Sequence, residues 1–170
     1  TWYIIPDALE NSTITIERLH QFQDTYKFEN SKSIGVVQGS SFDDFMECYR
    51  VVEPLVDKVA ISFDYSFLKR LYNHNNPFLQ FRIGRTILID KLMATKEFNR
   101  KKPHHLLGCA LPQEGQFYRN NERYDWIDSM DTSNPIVHAL FAIKYHSSGL
   151  YSKHKTKLCD LISTPQREIN

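Results

Sequence analysis

The chain has 170 residues, of which 41% are apolar and 24% charged, with 21 basic against 20 acidic side chains. That length suits one domain, the apolar content supports a real core, and 13% aromatics argues against disorder. A net charge of +1 excludes a strongly basic nucleic-acid tail protein or an acidic sponge at the level of the whole chain.

Apolar runs are short, such as Val59-Ala60-Ile61, and none approaches the ~20 residues of a membrane span. No basic segment followed by an apolar one marks a secretory signal. The three cysteines, Cys48, Cys109 and Cys159, are widely spaced, which fits neither a disulfide framework nor a C-x-x-C metal site. Reduced, mostly buried thiols in a cytoplasmic protein are the expectation. The chain opens on Thr1 rather than Met and enters directly at an apolar run, so further residues are expected upstream.

In chain order, Trp2–Ile5 reads as a short strand stopped by Pro6-Asp7. Residues 14–28 carry a helical period, with Ile16, Leu19, Phe22 and Tyr26 on one face. Ser33–Val37 is the next strand, ending at Gln38-Gly39-Ser40. Ser41 caps a helix whose positive first turn holds Asp43 and Asp44. Lys58–Phe63 reads as a strand ending at Asp64, and a polar stretch over 69–77 leads into a helix around 79–98, closed before Lys102-Pro103. His105–Leu111 reads as a strand ending at Pro112-Gln113-Glu114, followed by a short helix over 115–123. Trp126–Met130 is a strand ending at Asp131, and Ser133 or Asn134 with Pro135 opens a last helix. A sixth strand near 142–145 is the alternative if that helix is short.

Five strand–helix units in a row predict an α/β chain with a parallel sheet. No G-x-G-x-x-G or G-x-x-x-x-G-K follows a strand, so the nucleotide-binding open sheets lose their best marker. Each strand end instead carries an acid or amide: Asp7, Gln38, Asp64, Gln113/Glu114 and Asp131. Polar groups converging from several strand ends are the habit of (β/α)8 barrels, which need about 250 residues. The prediction is therefore a (β/α)8 TIM-barrel-like fold, incomplete at its N-terminus, over residues 1–146, with a polar, basic tail over 147–170. Such a mouth can read a small polar ring, because Gln38 offers a donor and an acceptor while carboxylates accept from N–H groups. Asp131 has the chemistry of a nucleophile or a general base. Any one of these residues could equally be a helix cap or turn former.

Three segments carry a family resemblance. Ser33-Ile34-Gly35-Val36-Val37-Gln38-Gly39 is similar to the "GIVQGG" strand end of the tRNA-guanine transglycosylases. Pro103-His104-His105-Leu106-Leu107-Gly108-Cys109-Ala110-Leu111-Pro112 resembles their "P-x-Y-L-M-G-V-G-x-P", and Trp126–Pro135 resembles "G-x-D-x-F-D-C-V-x-P-T-R". Order and spacing agree over about residues 1–145. The resemblance implies that Asp131 is the nucleophilic aspartate that attacks the anomeric carbon. It places Gln38 and Gly39 in the guanine-recognition segment, Asp7 on the base edge, and backbone contacts near Ser62–Asp64. Gln113, at the next strand end, joins the base-binding set. It implies exchange of guanine for a 7-deazaguanine base in nucleic acid without redox chemistry or ATP, and no cofactor is expected. The family's "D-S-G-G-F-Q" segment and its C-x-C-x-x-C…H zinc site are absent from these residues, and "P-T-R" is Ser-Asn-Pro here. The fit is better to divergent phage and bacterial enzymes that modify DNA than to the tRNA-specific subclass. A non-catalytic barrel that binds a base, nucleotide or nucleic acid is the rival reading. A phosphate-sugar lyase is a distant third, since no strand ends in a lysine.

Two basic clusters, Arg100-Lys101-Lys102 and Lys153, Lys155 and Lys157, are candidates for phosphate-backbone contacts. His104-His105 is expected at a strand entry away from the mouth, with adjacent side chains on opposite faces and no metal role. A partial barrel cannot cover both sheet edges alone, so upstream chain, a second copy, a partner subunit or a rearranged fold is expected to do so.

Overall fold

The computed structural model describes residues 1–63, 65–109 and 111–144. The expected basic tail, including Lys153, Lys155, Lys157 and Cys159, lies outside the described residues, as does Asp64. The described chain forms five parallel strands: β1 (Trp2–Ile4), β2 (Lys32–Val37), β3 (Lys58–Ile61), β4 (His104–Leu106) and β5 (Ile127–Met130). They pair in sequence order, β1-β2-β3-β4-β5, and the order never reverses. The intervening helices are α1 (Ser12–Thr25), α2 (Phe42–Leu55), α3 (Leu68–Leu71), α4 (Pro77–Met93), α5 (Pro112–Arg119) and α6 (Asn134–Leu140). No helix among the described residues is long and apolar enough to cross a membrane.

Local chemistry fixes the helix starts. Asn11 and Asn76 accept the early N–H groups of α1 and α4, and Ser41 Oγ accepts from Asp44 N at 3.2 Å. Asp44 returns the favour by accepting from Ser40 N at 2.7 Å and from the Ser12 hydroxyl, which ties α1 to α2. Burial works against that carboxylate, yet these hydrogen bonds outweigh it and hold its pKa below the usual range.

One sheet face is the core. Val37, Val59 and Ile61 share a buried cluster with Tyr49 and Val52 of α2 and Leu88 of α4. Gly35 lies under α2 so closely that a Cβ there would sit 2.6 Å from Val52 Cγ1. The pleat then sends Trp2, Ile34, Lys58, His105 and Ser129 to the other face, as the registers Ile34↔Lys58 and His105↔Ser129 require. On that second face Trp2 and Ile4 of edge strand β1 are 44% and 56% exposed, whereas central Ala60 is fully buried.

Four stretches differ from the sequence reading by more than their end residues. Strand β4 ends at Leu106 rather than Leu111, because Gly108 turns to φ 63° and takes the backbone out of the strand. Helix α4 stops at Met93 rather than near 98, because the N–H and hydroxyl of Thr95 both turn back onto Leu92 O, at 3.0 and 2.7 Å. Residues 142–144 are not a strand, and α3 falls just before and within a stretch read as polar loop.

Candidate functional site

The C-terminal ends of the strands are stitched to one another. Glu10, after β1 and at φ 55°, donates its N–H to Gln38 Oε1 at 2.9 Å, and its carboxylate accepts from Ser66 N after β3. Gln38 Nε2 donates to Asp7 Oδ2 at 2.5 Å. Two residues named from sequence, Asp7 and Gln38, are thus brought into direct contact. Gln38 is 2% exposed with both ends of its amide bonded, so it holds Asp7 and the Glu10 backbone. Gly39 is buried beneath the first turn of α2, where its role is close backbone approach. Tyr65 closes the gap between β2 and β3, donating to Val37 O and accepting from Ser62 N at 3.1 Å.

Asp131 sits one residue past β5, and its own backbone continues the ladder. Asp131 N donates to Leu106 O at 3.2 Å, and Cys109 N donates to Asp131 O at 2.9 Å. The carboxylate itself is held through one oxygen. Gly108 N donates to Oδ1 at 3.0 Å, and His105 Nε2 lies 3.1 Å from the same atom. Oδ2 takes part in neither bond, and the side chain is 54% exposed. The His105 hydrogen bond, followed by the Gly108 N–H, holds this carboxyl below the usual carboxylate range against the effect of burial. Asp131 is accordingly an ionised, oriented and reachable carboxylate.

His105 corrects the sequence reading, which put it away from the mouth. The second face of the sheet runs on past the end of β4, and a histidine on that face reaches Asp131 because β4 is only three residues long. Its other nitrogen, Nδ1, lies 2.9 Å from Ser129 Oγ, which in turn accepts from Lys58 Nζ at 3.3 Å. Lys58 also pairs with Asp128 and lies 4.4 Å from the Trp2 ring centroid. The neighbouring His104 points to the core instead, so the pair diverges as expected from the pleat. Among the described residues no group of three or more His, Cys, Asp or Glu is placed to hold a metal ion.

Sequence reasoning also missed Arg85. It is fully buried, pairs with Glu114 at 2.7 Å, and donates to Leu107 O at 2.5 Å and Cys109 Sγ at 3.1 Å. Arg85 therefore braces the turn over 107–109 that carries the Gly108 N–H. The signal was available: positions 85, 88, 89 and 92 fall on one helical face, and the last three are Leu, Ile and Leu. Glu114, and Gln113 beside it, lie in the first turn of α5 rather than at a strand end. Burial pushes the thiols of Cys48 and Cys109 up to about 11 and about 12, so both are inert core groups.

The basic cluster near 100 lies before β4, at the opposite end of that strand from Gly108. Arg100 pairs with Asp125 at 2.6 Å, Lys102 donates to Val56 O at 2.5 Å, and Lys101 is exposed. Fold and site together define an α/β protein with a consecutive parallel sheet and a held aspartate at a strand end. No protein-family model matches the chain, and no curated protein matches it.

Proposed function

We propose that this chain is part of a (β/α)8-type barrel and belongs to a cytoplasmic transglycosylase that exchanges guanine for a 7-deazaguanine base in nucleic acid, with DNA the first substrate to test. The observation that carries this reading is Asp131, whose Oδ1 is pinned by Gly108 and His105 while Oδ2 is left to react. In the proposed step Asp131 Oδ2 attacks C1′ of the nucleotide. The C–O ester bond forms as the glycosidic C–N bond breaks, and the bonding pair leaves with guanine, which takes up a proton. The incoming base, having lost its ring N–H proton, attacks C1′ and restores the carboxylate. The consecutive strand order supports a barrel wall, since right-handed crossovers between neighbouring parallel strands put their helices on one side. In this reading Asp7 meets the base edge, Gln38 holds Asp7 in place, and Gly39 allows α2 to approach.

A second reading, a barrel that binds a base or nucleotide without chemistry, rests on the absence of the "D-S-G-G-F-Q" segment from these residues. One experiment decides between them. The full-length protein is incubated with guanine-labelled DNA or tRNA and a 7-deazaguanine base. Release of label by the wild type and none by Asp131→Asn supports exchange. Binding without release supports the second reading, and wild-type exchange by Asp131→Asn removes the nucleophile assignment.

A further inference from the structure

The second face of the sheet carries a hydrogen-bonded line that crosses three strands: Lys58 on β3, Ser129 on β5, His105 on β4, and Asp131 past β5. The links are Lys58 Nζ to Ser129 Oγ at 3.3 Å, Ser129 Oγ to His105 Nδ1 at 2.9 Å, and His105 Nε2 to Asp131 Oδ1 at 3.1 Å. We propose that His105 is the positioning residue of Asp131: its Nε2–H turns the carboxylate so that Oδ2 faces the reacting carbon.

The carboxylate fixes one proton position. A carboxylate only accepts, so Nε2 carries the hydrogen facing Asp131. Ser129 Oγ accepts from Lys58 Nζ, and its single hydrogen has two acceptors in reach, His105 Nδ1 at 2.9 Å and Asp128 Oδ2 at 3.2 Å. The imidazole side chain is 17% exposed, so the histidine is the sheltered end of this bond. Oδ1 receives two donors, from His105 and Gly108, which anchors that oxygen. A base-exchange reaction needs that orientation, because a displaced nucleophile loses rate steeply. The charged and titratable groups around Asp131 are His105 from β4, Lys58 from β3, Asp128 from β5 and Arg85 from α4. Of these, His105 makes the direct side-chain contact.

The inference rests on the transglycosylase reading, and the test separates the two. His105→Leu removes the donor, and His105→Gln keeps an N–H at the distance of Nε2. Exchange kinetics are measured for both with the full-length protein, alongside the titration of the Asp131 side-chain carboxyl carbon by NMR. We expect His105→Leu to lower kcat about a hundredfold with KM changed by less than about threefold, and His105→Gln to recover most of the loss. The Asp131 carboxyl is expected to titrate at higher pH in His105→Leu and to stay low in His105→Gln. Wild-type kcat in His105→Leu overturns the proposal and leaves the transglycosylase reading standing. If no variant, the wild type included, exchanges bases, that reading falls and the carboxyl titration alone decides: movement supports the His105 role in orienting Asp131, and no movement overturns it. Should His105→Leu fail to fold, His105→Asn, whose amide reaches only the Nδ1 position, replaces it. Equal rates in the Asn and Gln variants then overturn the proposal, and an active Gln beside an inactive Asn supports it.

Discussion

Gly108 donates its backbone N–H to Asp131 Oδ1 at 3.0 Å from a left-handed conformation, φ 63°. The conformation and the bond are one device, because an extended residue 108 would continue β4 and aim its N–H along the sheet. A Cβ at this position would meet Phe63 Cβ at 3.5 Å, which is ordinary contact, so space is not what requires glycine. The requirement is conformational, and it gives a prediction of modest size. Gly108→Ala should lower the unfolding free energy by about 1 kcal/mol, and Gly108→Asn by less, since Asn tolerates this region. Exchange should fall further than stability in Gly108→Ala if the turn relaxes and draws the N–H from Asp131. Urea unfolding measured beside label release checks both halves.

Gln38 bonds Asp7 and the Glu10 backbone with its two amide ends while 2% exposed. Gln38→Ala strands both partners and should cost about 2 kcal/mol. Gln38→Glu sets a carboxylate against Asp7 and should cost more, although it differs from glutamine by few atoms. Equal stabilities of the Ala and Glu variants in denaturant would contradict this placement of Asp7.

Gly39 answers to packing rather than to φ. A Cβ there would lie 2.4 Å from Phe45 N and 2.7 Å from Phe45 Cα, both backbone atoms of α2 that cannot rotate away. Gly39→Ala should therefore push α2 outward and cost about 2–3 kcal/mol. A thermal midpoint within a degree of the wild type would sink this account.

These positions show what was legible in the sequence. Strands β1, β2 and β3 were readable because short β-branched and aromatic runs stop at Pro, Gly or acidic residues, and β5 because Trp126-Ile127 leads to Asp131 ahead of a helix opened by Pro135. The residue types at the strand ends also pointed to Asp7, Gln38 and Asp131. Strand β4 was read too long, because Leu106-Leu107 and Leu111 look strand-like and only the φ of Gly108 cuts the run. The link between His105 and Asp131 spans 26 residues and two strands. No local period encodes it; it needs the register His105↔Ser129, which the chain acquires only once the sheet is assembled. Arg85 was missed for the opposite reason: it sits on a legible apolar face, but a helical arginine is ordinarily a surface cation, and its partner Glu114 lies 29 residues away.

The Arg85–Glu114 pair has no exposed side-chain surface on either partner. Removing one member leaves an uncompensated buried charge, so Arg85→Met should cost about 3–5 kcal/mol. Replacing both, Arg85→Met with Glu114→Met, should cost less than Arg85→Met alone, because neither charge is then buried. The 107–109 turn would still lose its brace from Arg85, so exchange should remain impaired in the double variant after stability recovers. Denaturant unfolding of the two single variants and the double variant gives the coupling directly.

His104 makes the fold sensitive to acid. It is fully buried against Trp126, with Nδ1 2.7 Å from Lys102 O and Nε2 3.2 Å from the Tyr49 hydroxyl. A carbonyl accepts, so Nδ1 carries the proton and Nε2 accepts from Tyr49, which is the neutral ring. Burial pushes its pKa down from 6.5 to about 4. Between those values the unfolded chain binds a proton that the folded chain refuses, so stability rises with pH across this window. His104 is therefore without penalty above about pH 6.5, and its contribution is lost as pH falls toward 4, by on the order of 3 kcal/mol in all. His104→Gln can still accept from Tyr49 but cannot take up a proton. It should be less stable than the wild type at pH 8, yet lose less on acidification from pH 6.5 to 4. Unfolding free energies at half-unit steps of pH test the slope, and parallel curves for the two proteins would show that the acid sensitivity comes from another group.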